Sequence, residues 1–320
     1  MPLIGLHCSH EQIPPSRLLR HVREAEAAGF RAAMSSDPFS PWSERQGESG
    51  FAWAFLGAAL EASTLRFGVV NAPGQRYHPA IVAQAAATLY ELFPGRLWLA
   101  LGSGEASNEH ITGERWPAKG ERNARLGECV EVIRALFDGE VVDHDGLVRV
   151  DRARLWTLPP EPPPLIGAAV SEETARWCGS WADGLVTINQ PRETLERVIA
   201  AFREGGGEGR PLYLQVHLSW AETEAEALRI AHDQWRTNIF APPLCWDLQT
   251  VEQFDLAAAH VRPDDVREAV LVSADTARHA AWLRELAELG FDEIHLHHVG
   301  RDLGPFIQAF GERVLPELAA

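Results

Sequence analysis

Residues 65–104 read LRFGVVNAPGQRYHPAIVAQAAATLYELFPGRLWLALGSG. Leu65-Arg66-Phe67-Gly68-Val69-Val70 is an apolar run of strand length. Pro79–Leu92 carries apolar residues at helical spacing and begins on a proline, which the first helical turn tolerates. Pro94-Gly95 turns the chain, and Arg96-Leu97-Trp98-Leu99-Ala100-Leu101 is strand-like again. Strand, helix and strand make one right-handed crossover unit whose two strands pair in parallel.

The same unit recurs on both sides. The pattern predicts strands at residues 3–8, 30–35, 65–70, 96–101, 164–169, 184–188, 212–218 and 293–299, nearly all separated by helices. Eight such units in 320 residues point to an α/β chain closed as one (β/α)8 barrel rather than an open doubly wound sheet. Two features exceed the basic plan. A short hairpin is expected around residues 141–150. A helical insertion is expected around residues 222–270, broken at Ala241-Pro242-Pro243. The whole of residues 1–320 reads as a single domain, with no low-complexity linker.

Composition narrows the function classes. Apolar residues make up 46% and charged residues 23%, which excludes a disordered or collagen-like chain. The net charge of −16 repels phosphate backbones, so no nucleic-acid partner is expected. Lys119 is the only lysine, so no other position can form a lysine Schiff base. Cys8, Cys129, Cys178 and Cys245 form no C-x-x-C pair, and their sparsity fits a reducing cytoplasm. No run resembles a signal peptide or a membrane span. Eleven tryptophans are many, and suit a pocket for a flat ligand.

A barrel places its active site at the C-terminal ends of its strands. Position alone therefore selects His7 and Cys8, Ser36, Asp37 and Trp42, Asn71 and Ala72, Gly102 to Glu105, Ala168 to Ser171, Ile188 and Asn189, His217, and His297 and His298. Gly102-Ser103-Gly104 permits close backbone approach, with amides free for an anion. It is not the dinucleotide fingerprint, whose third glycine position is Ser107 here. Asp37 reads either as a turn former or as an acceptor for a ring N–H beside Trp42. His295 and His297 share one face of the last strand and His298 the other. A histidine pair with no visible third ligand is more often core than metal site, so no metal is expected.

The sequence Ser36-Asp37-x-Phe39-x-Pro41-Trp42, the run Arg76-Tyr77-His78-Pro79-Ala80, and Phe93-Pro94-Gly95-Arg96 together resemble the luciferase-like flavin oxidoreductase superfamily. The strongest mark is Leu101-Gly102-Ser103-Gly104-Glu105-Ala106-x-Asn108-Glu109 followed by Thr112-Gly113. The resemblance spans nearly the whole chain and is nearest the branch of F420-dependent glucose-6-phosphate dehydrogenases. It implies a luciferase-like barrel with a tricyclic cofactor across its mouth, FMN or coenzyme F420, and a homodimer. Asp37, Val70, Asn71, Ala72, Gly102, Ser103, Gly104, Glu105, Asn108, Ala168, Ala169 and Val170 would hold that cofactor. A non-proline cis peptide is implied at Val70-Asn71 or Asn71-Ala72.

Departures from the pattern matter as much. Where those dehydrogenases carry a catalytic His after the Asp, this chain has Pro38, which offers no proton. Where a lysine would hold the sugar phosphate, it has Pro191 and then Arg192. Oxidation of a phosphorylated sugar is therefore not expected. The lost His resembles a branch of non-F420 flavin enzymes and tilts the expectation slightly to FMN. The sequence thus predicts a cytoplasmic oxidoreductase moving a hydride to or from a small organic substrate. Glu105 is the first catalytic candidate, with Trp42, His297 and His7 behind it. The alternatives are an FMN-dependent monooxygenase using oxygen, a non-catalytic flavin-binding protein, and a metal-dependent hydrolase using His295, His297 and an acid.

Overall fold

The computed structural model describes residues 1–319. Its strands are β1 (Leu3–Cys8), β2 (Ala32–Ser35), β3 (Arg66–Asn71), β4 (Leu97–Leu101), β5 (Val142–Asp145), β6 (Arg149–Ala153), β7 (Leu165–Ala168), β8 (Gly184–Ile188), β9 (Leu212–Ser219), β10 (Leu271–Val272) and β11 (Glu293–His298). Eight of them pair in the order β9-β11-β1-β2-β3-β4-β7-β8, and β8 pairs back onto β9, so the barrel is closed. Every pairing within that ring is parallel. The antiparallel pair β5–β6 is the expected hairpin, and β10 is a two-residue addition beside β9.

The helices are α1 (Pro15–Ala28), α2 (Ala52–Ala62), α3 (Pro79–Leu92), α4 (Ala106–Glu109), α5 (Lys119–Phe137), α6 (Glu172–Gly179), α7 (Arg192–Phe202), α8 (Glu224–Trp235), α9 (Leu244–Asp247), α10 (Val251–Ala257), α11 (Thr276–Ala287), α12 (Gly304–Arg313) and α13 (Leu315–Ala319). Helices α8, α9 and α10 lie between β9 and β10, with 3₁₀ turns around them. The second strand starts later than its apolar run. Gly29 takes φ 103° to end α1, and the Phe30 amide returns to Ala25 O at 3.0 Å, so Phe30 belongs to the cap. No described helix is long and apolar enough to cross a membrane.

Alternation along each strand sends one set of side chains outward to the helices and the other into the barrel. Inside, Met34, Trp98, Ala100, Ile166, Val186 and Tyr213 pack together. Trp98 is fully buried and stacks on Tyr213, ring centroids 4.6 Å apart. Burying roughly 200 Å² of indole stabilises by about 5 kcal/mol. The ring fits because β3 carries Gly68 opposite, where a Cβ would stand 2.1 Å from Trp98.

At the base of the barrel, Glu293 sits at the start of β11 and is 1% exposed. Arg66 Nη1 lies 3.1 Å from its Oε1, and His295 Nε2 lies 3.0 Å from its Oε2. Trp98 Nε1 donates to the same Oε2 at 3.4 Å. Burial pushes the Glu293 carboxyl up, but His295, Arg66 and Trp98 together bring it below its ordinary range.

One expectation fails at the top of β3. Among the described residues the only cis peptide bond is Pro242–Pro243, so Val70–Asn71 and Asn71–Ala72 are trans. The strand runs regularly to its end, with Asn71 opposite Leu101, and the Gly102 amide closes the ladder on Asn71 O at 2.9 Å. That ladder leaves no backbone irregularity for a cis bond to relieve.

A candidate active site at the barrel mouth

The loop after β4 carries the first half of the site. Gly104 has φ 81°, where a side chain would be strained, and a Cβ there would stand 3.1 Å from Glu109 Cγ and 3.4 Å from Ala72 Cβ. The amides of Ser103, Gly104 and Glu105 donate to no backbone carbonyl. Glu105 then turns back into the mouth, where Trp42 Nε1 donates to its Oε2 at 3.3 Å. No cation among the described residues pairs with it. Burial pushes the Glu105 carboxyl up to about 7; the Trp42 N–H opposes this, while the nearby Glu11 and Glu109 add to it. A carboxyl poised there can both give and take a proton near neutral pH.

Other acids of this half are engaged by the protein itself. Asp37 is buried; Asn71 Nδ2 donates to its Oδ2 at 2.8 Å and the Tyr77 hydroxyl to its Oδ1 at 3.2 Å. Arg76 Nη2 donates to Asp37 O at 2.7 Å, and the Arg76 amide donates to Glu109 Oε2 at 2.7 Å. Burial raises the Asp37 carboxyl, against the pull of Arg76 and those donors. Asn108 Oδ1 accepts from the amides of Phe39 at 2.7 Å and Ser40 at 3.3 Å. Both residues thus brace the loop of residues 36–42. Asn71 Oδ1, by contrast, is buried without a partner.

The second half comes from β1, β9 and β11. The rings of His7 and His297 are 4.4 Å apart, and those of His217 and His297 5.4 Å apart. Gln12 Oε1 lies 2.8 Å from His297 Nε2, and Gln215 Nε2 lies 3.0 Å from His217 Nε2. Burial pushes His217 down to about 3, and takes His7 and His297 well below their ordinary value, with the other imidazoles adding. All three are neutral at pH 7. His298 faces outward and stacks on Phe306. Among the described residues no group of three or more His, Cys, Asp or Glu is arranged to hold a metal ion.

Trp235, at the end of α8, joins the halves. Its ring is 5.9 Å from Trp42 and 4.7 Å from both His217 and His297. The structure therefore brings Trp42 and Glu105 together, brings His7 and His297 together, and sets Trp235 between the pairs. Sequence reading missed Trp235, Glu11 and Arg76 as site residues. Arg76 lay inside a quoted motif, and Glu11 follows the first strand by three residues; Trp235 left only the tryptophan count as a signal. Of the remaining positions, Val70 packs inside the barrel and Ala72 faces Gly104. The loop after β7 holds Ala168, near Gly102; Ala169, whose amide donates to Val186 O; and Val170, whose amide donates to no backbone carbonyl.

The profile of the Luciferase-like monooxygenase family matches residues 3–293. An F420-dependent glucose-6-phosphate dehydrogenase of Beutenbergia cavernae is 33% identical, over 99% of this chain and 97% of that one. An F420-dependent hydroxymycolic acid dehydrogenase of Mycobacterium tuberculosis is 33% identical, over 98% of this chain and 88% of that one. Among solved structures, an F420-dependent secondary alcohol dehydrogenase in complex with an F420-acetone adduct matches with TM-score 0.92 and 29% identity, covering 99% of both chains. All three relatives are named for F420, and none supports the tilt to FMN.

Proposed function

The chain belongs to the luciferase-like monooxygenase family, and on that premise we propose that it is an F420-dependent oxidoreductase of small, uncharged alcohols and their carbonyl partners. The observation that carries this reading is the Trp42–Glu105 pair, with the Glu105 carboxyl at about 7. The residues present suit a flat, phosphate-bearing ring system. The unpartnered Asn71 Oδ1 suits a ring N–H, and the amides of residues 103–105 suit an anionic or polyol end. When bound, the deazaflavin supplies the hydride acceptor or donor.

The protein's own residues supply the proton and the fit. Trp42 occupies Glu105 Oε2, which leaves Oε1 for a substrate hydroxyl. In alcohol oxidation Glu105 takes that hydroxyl's proton; in carbonyl reduction it returns one. Pro38 cannot share the task, so Glu105 acts without a histidine beside Asp37. Trp42 and Trp235 wall the substrate side, and His217 and His297 meet it as neutral rings. Arg192, in the region where a sugar phosphate would need a cation, is instead bonded to Glu196 at 3.0 Å and Glu288 at 3.1 Å. An uncharged substrate fits this lining better than a phosphorylated one.

The test is to follow reduction of F420 at its visible band with secondary alcohols, and then with glucose 6-phosphate. Turnover with alcohols and none with the sugar phosphate is expected. Activity that appears only with FMN and consumes oxygen would overturn the reading.

A further inference from the structure

Lys119 is the chain's only lysine and the first residue of α5. It is half-buried, and its Nζ donates to the Ser103 hydroxyl at 2.6 Å. The face of Trp246 lies 4.8 Å from the same Nζ. No carboxylate among the described residues comes within 4.0 Å of it. Its neighbours differ. Arg76 is matched to Asp37 and Glu109, Arg122 lies 3.7 Å from Asp247 Oδ1, and Arg115 holds Glu121. Burial lowers the affinity of Lys119 for its proton, and the charge of Arg122 adds to that. In a chain with 45 acids, a half-buried ammonium left without one is a cation waiting for an anion from outside.

Its surroundings define that anion. Lys119 touches the loop whose amides at Ser103, Gly104 and Glu105 donate to no backbone carbonyl. Across from Gly102 lies Ala168, whose loop leaves the amides of Val170 and Ser171 equally unclaimed. Lys119 also lies within electrostatic reach of Cys178 and Glu173 on the helix that this second loop opens. One ammonium and two rows of N–H groups converge where only acceptors satisfy them, which is the chemistry of a phosphate ester.

We propose that Lys119 is the counter-ion to the phosphate ester of the bound cofactor. This rests on the functional reading above. The site has no further lysine, and Arg125, six residues along α5, is buried and turned to Gln75 Oε1 at 2.9 Å, so the electrostatic part of cofactor retention depends mainly on this one side chain.

The test is calorimetric titration of the wild type, Lys119→Met and Lys119→Arg. The ligands are two phosphate-bearing probes, F420 and FMN, and two phosphate-free ones, riboflavin and the deazaflavin with its ribityl chain alone. A single charge-assisted contact is worth about a 10- to 100-fold change in Kd. Lys119→Met is expected to weaken whichever phosphate-bearing ligand the wild type binds by that factor. The phosphate-free partner should move less than about twofold, and Lys119→Arg should recover most of the loss. Added salt should narrow the gap between the wild type and Lys119→Met. If Lys119→Met changes ligands with and without phosphate equally, or changes neither, the lysine only holds Trp246 and the inference falls while the functional reading stands. If the wild type binds none of the four, both fall together.

Discussion

Glu293 and Glu105 are two glutamates at opposite ends of one barrel, and they titrate in opposite directions. Both lose water, which pushes a carboxyl up. At the base, Arg66, His295 and the Trp98 N–H surround Glu293 and bring it below its ordinary range. At the mouth, Glu105 has one indole N–H and two neighbouring acids, and is pushed up to about 7. Burial sets the size of the demand at each end; the partners decide its sign. The base is built to hold a charge still, and the mouth to let one come and go.

The largest effect on this contrast should come from Glu105→Gln. If the mouth carboxyl moves the proton, kcat falls by about 10²- to 10⁴-fold, while the cofactor Kd stays within about twofold. Wild-type steady-state rates should turn near pH 7, with carbonyl reduction failing above it and alcohol oxidation failing below it. That turn should vanish in the variant. The same group makes a stability statement. Its folded value lies above its unfolded one, so its contribution to stability is lost as pH rises through about 7. Glu105→Gln should therefore unfold at higher urea than the wild type at pH 8, and at nearly the same urea only at about pH 4, below the ordinary glutamate value of the unfolded chain. A variant that keeps its turn near pH 7 would remove Glu105 from the chemistry.

An intermediate effect is expected from Arg66→Met at the base. It leaves Glu293 with fewer partners for a buried charge, and Arg66 is itself 40% exposed, so the loss should be roughly 2 kcal/mol in urea unfolding. Glu293 is held low, so its stabilisation is present above the ordinary glutamate range and is lost as pH falls through its folded value. Acidification below about pH 4 should cost the wild type more stability than it costs Glu293→Gln. Equal acid sensitivity in the two proteins would mean the base cluster contributes no such linkage.

The smallest effect belongs to Trp42→Phe. The ring volume is nearly kept, but the N–H that restrains Glu105 is gone. The turn in the pH–rate profile should move upward by less than about one unit, with kcat/KM down by about fivefold. A downward move would contradict the hydrogen bond as the restraint.

How far the sequence reached differs in the same way between fold and site. The alternation of apolar runs with helical spacing placed all eight strands, and turn residues such as Gly29 and Pro94-Gly95 separated them. Those signals are local, so one chain carries them openly. The place of Glu105 and Gly102–Gly104 at the mouth was also legible, because it follows from their position directly after a barrel strand. The partners were not. Trp42 meets Glu105 across 63 positions, Asn71 meets Asp37 across 34, and Gln12 meets His297 across 285. Periodicity says which face a side chain takes, not which distant side chain stands opposite. For the same reason Asp37 and Asn108 could be placed at the mouth, while their commitment to the protein's own loop could not be read.

The distribution of indoles gives the molecule a built-in optical gauge. Trp42, Trp235 and Trp246 stand around the mouth, whereas Trp98 is sealed below against Tyr213. A ring absorbing in the near ultraviolet and lying across the mouth would accept excitation from the upper three far more efficiently than from the lower one, since such transfer falls steeply with distance. The protein's own emission would therefore dim as the site fills, without a dye, and the residual glow would come from the indoles outside that upper group, Trp98 and the exposed Trp156 among them.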